Sequence, residues 1–165
     1  MDAHRILRAK RRRNNGSSLA EFGPGLMILL ICIFFPLVDL LSLFVSYGLC
    51  MVLNYNQVHE ASLIPYKEAT SPTGTVMQAI PQQWADGMGK FVKMTGKPVT
   101  VITYRTGESQ PDGVSDKLVS VTTTVVCSAW LPIPLPVVQV PGLNGPMTFA
   151  VTAERPMENP DYAQP

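Results

Sequence analysis

The side chains able to do chemistry are few, and their spacing argues against catalysis. His4 and His59 stand far apart in the chain, so no histidine pair at helical spacing exists to hold a metal. The cysteines, Cys32, Cys50 and Cys127, are odd in number and lack metal-type spacing. On one helix Cys32 and Cys50 would lie about 27 Å apart at ~1.5 Å per residue, beyond disulfide reach. A Cys50–Cys127 bridge is disfavoured because it would form at the edge of an apolar segment. No GxSxG, P-loop or dinucleotide-binding glycine pattern occurs. Thr100, Thr103, Thr122, Thr123 and Thr124 fall in strand-like stretches, and His59-Glu60 reads as a solvated helix face. These patterns predict no active site, no metal and no cofactor. What stands out instead is two acids in an apolar setting: Glu21 at the start of a hydrophobic run and Asp39 inside it.

That run must position both acids. From Leu26 to Leu53 the only charged residue is Asp39, whereas about 20 apolar residues suffice to cross about 30 Å of hydrocarbon. A transmembrane helix is the expectation, continuing to about Tyr66 with Tyr47 and Tyr55 as interfacial aromatics. Residues 1–16 carry Arg5, Arg8, Lys10, Arg11, Arg12 and Arg13 against Asp2, a net charge of +5, which holds the N-terminus in the cytoplasm. The rest of the chain sums to −4 and offers no sustained basic surface, so nucleic acid is not an expected partner. A secretory signal is disfavoured by the length of the run and the lack of a small-x-small site after it. Lipoprotein and twin-arginine signals fail on Ile31 before Cys32, Leu49 before Cys50, and Asn14-Asn15 after the arginines. Gly23-Pro24-Gly25 and Pro36 predict a kink or a loosened turn at each.

An ionised acid near mid-membrane costs roughly 2.5–3.5 kcal/mol on insertion scales, so Asp39 needs a partner. Glu21 and Asp39 are five turns apart at about 3.6 residues per turn and share a face, with Cys32, Ser46 and Cys50 within about 20° of it. This narrow polar and small-residue stripe is suited to packing against other membrane helices. The competing reading leaves Asp39 neutral, or hydrated by a thinned bilayer.

Lys10-Arg11-Arg12-Arg13-Asn14-Asn15-Gly16, then Ser17-Ser18-Leu19-Ala20-Glu21-Phe22, resembles the processing site of type IV prepilins and pseudopilins. The chain is most similar to TadE-like minor pseudopilins of the tight-adherence (Tad/Flp) branch, with the Phe22 aromatic after the glutamate, the late acid Asp39 and a β-rich C-terminal region. The resemblance implies cleavage by a prepilin peptidase between Gly16 and Ser17. It also implies that Glu21 pairs with the new amino terminus of a neighbouring subunit, and that Phe22 and Asp39 lie in the helix that packs with other pilins or pseudopilins on an inner-membrane assembly platform. The implied location is the bacterial inner membrane, with the C-terminal domain exported and incorporated in or at the tip of a pilus. Gly16 supplies a cleavage position without a side chain, where the backbone stays extended. Gly23-Pro24-Gly25 departs from the aliphatic run usual in the family. The alternative is an uncleaved single-pass anchor presenting an extracytoplasmic binding domain, with Glu21 at the headgroup level.

About 112 residues follow Leu53, enough for one small domain with its own core. Pro65 marks a helix end, and Ala69-Thr70-Ser71-Pro72-Thr73-Gly74 reads as a loop. Val76, Ile80, Trp84, Met88 and Phe91 recur at helical spacing, which predicts a short amphipathic helix over Gln82–Met94 whose stripe is core. Val99–Tyr104, Leu118–Trp130 and Met147–Ala153 are rich in Val and Thr and predict strands, with Arg105–Ser115 as a polar hairpin loop. Leu131–Gly142 holds four prolines and reads as a bulged edge or extended crossover that fits under the sheet, on the membrane or against another subunit. The fold class expected is α+β: a long N-terminal transmembrane, pilin-like helix and a small β-rich exported domain with one short amphipathic helix. The divisions are a basic leader at 1–16, the transmembrane and juxtamembrane helix at 17–64, the exported domain at 65–155 and a loose polar tail at 156–165.

Overall fold

The computed structural model describes residues 22–109, 115–131 and 139–163. It divides at Val38/Asp39 into two units. Gly16, Ser17 and Glu21 lie outside the described residues.

Phe22 to Leu63 is helical over 42 residues and is the one helix, among the described residues, long and apolar enough to cross a membrane. Gly23-Pro24-Gly25 lies inside the helical run without a break. Leu30–Phe34 is a π turn, and the N–H of Phe35 donates to the carbonyl of Leu30. Pro36 accounts for this turn: its ring would press on the carbonyl of Cys32, and a wider turn moves that carbonyl aside. No side chain from Phe22 to Val38 is buried.

In the second unit, helix α1 (Phe35–Leu63), taken from Asp39 onward, lies on a three-stranded antiparallel sheet. The strands are β1 (Val99–Ser109), β2 (Ser115–Cys127) and β3 (Met147–Pro156), in the order β1-β2-β3. Period-2 alternation sets the core face. Val119, Val121, Thr123, Val125 and Cys127 of β2 are fully buried, each of these valines worth about 2 kcal/mol on burial. The register Thr100↔Thr123, Ile102↔Val121 and Thr123↔Val151 puts the inward residues of β1 and β3 beside them. The hairpin is longer than the sequence suggests. Arg105–Ser109 and Ser115, within the stretch Arg105–Ser115 read as loop, belong to the strands, with one irregularity between Thr106 and Ser109. The side chains of Arg105, Thr106 and Asp116 are exposed, where a ladder needs no apolar face.

The amphipathic segment is divided and begins earlier than expected. A π turn at Thr75–Ala79 leads into α2 (Ile80–Asp86), and a 3₁₀ turn follows at Met88–Phe91. Pro81 stands at the second position of the α-helical part, and the wider π turn before it moves the carbonyl of Met77 away from the proline ring. Gly87, at φ −100° and ψ −107°, ends it. A Cβ on Gly89 would come within 2.9 Å of the Trp84 ring, so only glycine fits there.

The core has two apolar clusters. One joins Cys50, Leu53, Trp84, Val92, Val125, Cys127 and Val151, and the other joins Val58, Ala61, Ala69, Val76, Val119, Val121 and Met157. The tail is not loose through residue 163. Met157 is buried and its N–H donates to Lys117, Glu158 N–H donates to Ser62, and Pro160–Ala163 forms a 3₁₀ turn. Polar composition concealed this docking, in which Met157 is buried and Ala163 packs against the same cluster.

Candidate functional site

The feature that calls for a functional account is the distribution of side chains around α1. Its buried positions are Asp39, Ser42, Ser46, Cys50, Leu53, Asn54, Gln57, Val58, Ala61 and Ser62, at spacings of one, three or four residues. These define one face of an α-helix. In the first turns of that face the usual polarity is inverted: Asp39, Ser42 and Ser46 are buried, while Leu40, Leu41, Phe44 and Val45 are exposed. A helix in a water-soluble domain turns its apolar side inward. This one turns small and polar groups toward its own sheet and leaves a hydrophobic ridge outside.

Asp39 is fully buried. Its Oδ1 accepts the N–H of Leu131 at 3.0 Å, while Oδ2 has no hydrogen-bond partner. Ser42 donates its hydroxyl to the carbonyl of Asp39 and Ser46 to that of Ser42, both at 2.8 Å, so each hydroxyl is satisfied within the helix. The partner expected for Asp39 was another helix; the neighbour found is the chain's own backbone just past β2. Phe22 is 68% exposed.

Farther along the same face, Asn54 and Gln57 form a polar layer between the two apolar clusters. Asn54 Nδ2 donates to the carbonyl of Val121 (2.8 Å) and to Thr123 Oγ1 (3.0 Å). Thr123 Oγ1 donates to Gln57 Oε1 (2.6 Å), and Gln57 Nε2 donates to the carbonyl of Val76 and to Thr100 Oγ1, both at 2.8 Å. All of these side chains are buried, and a fully satisfied buried network fixes one register where apolar contacts alone would tolerate sliding. Sequence reasoning missed this layer because Asn54 and Gln57 follow the apolar run and read as its exit into water. A signal was present: they continue the stripe begun by Asp39, Ser46 and Cys50.

The remaining chemistry-bearing residues are dispersed. Cys32 is exposed, and Cys50 and Cys127 are buried and unbridged. Burial pushes the Cys127 thiol above its ordinary pKa, offset in part by a hydrogen bond with Ser46. His59 Nδ1 lies 2.7 Å from Arg155 Nη1 on the surface. Arg105 donates through Nε to Glu154 Oε1 at 3.0 Å and pairs with Oε2 through its Nη2, which holds the Glu154 carboxyl below its usual range. The Tyr104 hydroxyl is buried without a partner, and burial, with Tyr66 adding to it, raises its pKa. Among the described residues no three His, Cys, Asp or Glu side chains converge.

No protein-family model matches the chain, and no curated protein or solved structure is significantly similar to it.

Proposed function

We propose that this chain is a pilin-like structural subunit of the TadE-like minor pseudopilin kind, cut by a prepilin peptidase after Gly16 and assembled with other pilins or pseudopilins at an inner-membrane platform. The observation that carries the reading is a conjunction. A basic block, Gly16 and a glutamate five residues on precede an apolar helix, and the later half of that helix lies on a small antiparallel sheet. One end is suited to a bilayer and the other displays an exported domain.

The inverted helix supports the structural role and shifts the assembly face. From Asp39 onward the stripe is buried against the chain itself, with Leu131 N–H on Asp39, while Cys32 is exposed; in this reading the exposed ridge of Leu40, Leu41 and Phe44 adds to the surface that packs with neighbouring helices. In lipid, such a ridge associates through close packing, with no hydrophobic drive between helices. Glu21, in this reading, meets the amino terminus of a neighbouring Ser17, which offsets the cost of a carboxylate entering hydrocarbon.

N-terminal sequencing of the membrane-extracted protein tests the reading. A mature chain beginning at Ser17 is expected, and Gly16→Ala should leave the precursor uncut. A chain that still begins at Met1 in cells with an active prepilin peptidase would refute it.

A further inference from the structure

The second unit carries an exposed aromatic patch at the end where the chain enters it. Trp130 and Leu131 follow β2, and Phe91 closes the 3₁₀ turn; they are 41%, 46% and 65% exposed. Short contacts tie the two segments together. Met94 bridges Cys127, Ser128 N–H donates to Lys93 (2.9 Å), Thr95 N–H donates to Val126 (2.8 Å), and Trp130 Nε1 donates to the carbonyl of Phe91 (3.1 Å). Leu131 N–H in turn bonds Asp39, the residue through which the chain arrives from the apolar stretch ending at Val38.

Charge at this end is complementary to an anionic surface. Lys90 and Lys93 are exposed beside the aromatics and outnumber Asp86, the exposed acid one turn before Lys90, while Glu154 lies on β3 opposite Ser120 and Glu158 bonds Ser62 at the far end of α1. A tryptophan whose N–H is already partnered and whose ring is part-exposed, set among apolar and lysine side chains, has the composition of a membrane-interface anchor.

We propose that Phe91, Trp130 and Leu131, flanked by Lys90 and Lys93, dock into the headgroup layer of an anionic bilayer and make a second membrane contact. The inference rests on reading the apolar helix as the membrane anchor. With both contacts made, the domain touches the bilayer through this patch as well as through its connection to the apolar helix.

The test uses the full chain in vesicles of phosphatidylcholine with phosphatidylglycerol, with phosphatidylcholine alone for comparison. Trp130 emission is taken as the difference between wild type and Trp130→Phe, Trp84 being buried and common to both. Lipids brominated near the headgroup should quench Trp130, and aqueous acrylamide should not. Lys90→Gln with Lys93→Gln should shift the docked fraction toward the undocked form by about fivefold per lysine, and Phe91→Ser should act in the same direction without altering the core. A chain that floats with the vesicles while acrylamide quenches Trp130 and bromolipid does not would overturn the docking and leave the anchor intact. Shielding from both quenchers would also overturn it, since the patch would then be covered by protein. A chain that fails to float at all would instead remove the anchor on which the proposal stands.

Discussion

Asn54 and Gln57 decide how α1 meets the sheet, because their amides are satisfied only at one setting of helix against strand. Gln57→Leu removes the partner of the Thr123 hydroxyl and leaves the carbonyl of Val76 unsatisfied, so unfolding in detergent micelles should be easier by about 2–3 kcal/mol. Tyr104 predicts the opposite sign. Its hydroxyl is buried without a partner while its ring stacks near Tyr66, with centroids 5.1 Å apart. Tyr104→Phe keeps the ring and deletes the unsatisfied group, so the thermal midpoint should hold or rise; a clear fall would indicate an unseen partner. Composition could not single out Tyr104, since whether a tyrosine hydroxyl reaches water depends on the depth of its strand in the sheet.

Two elements share one local rule. The π turn at Leu30–Phe34 ends two residues before Pro36, and that at Thr75–Ala79 ends two residues before Pro81. In each, the residue preceding the proline donates its N–H five residues back, Phe35 to Leu30 and Ile80 to Thr75. Pro81→Ala should therefore let residues 75–81 relax to α-helical bonding, detected as a newly protected amide at position 81 in hydrogen exchange. An Ile80 N–H still bonded to the carbonyl of Thr75 in a structure of the variant would mean that the packing of Trp84 imposes the π turn. A loosened turn at Pro36 was legible from the proline alone, whereas Gly23-Pro24-Gly25 was misleading because poor helix formers are tolerated where neighbouring residues sustain the helix. The strands were legible from Val and Thr alternation. Their extension through Arg105–Ser109 was not, because a polar hairpin tip pairs by backbone and carries no apolar signature.

At the scale of the molecule, the resolved pKa shifts outside the apolar helix set the pH window of stability. Glu154 is held below its usual range by Arg105, so its contribution is present above the ordinary carboxylate pKa of about 4.3 and is lost as pH falls through the depressed value. Burial raises Tyr104 and Cys127; what they contribute is present below about 10 and about 8.5 and is lost as pH rises through their elevated values. Melting scans should show a plateau between these limits, and Glu154→Gln should flatten its acid edge alone. The α+β plan was legible in the sequence; the docked tail and the inward polar face of α1 were not, since both depend on which surfaces the chain itself covers. The bonds of Asn54 and Gln57 run from one short stretch of α1 to the sheet at Thr100, Val121 and Thr123 and to the π turn at Val76. Tension drawn along that helix loads them side by side, so the domain resists shear at this level and yields there by losing all of them together.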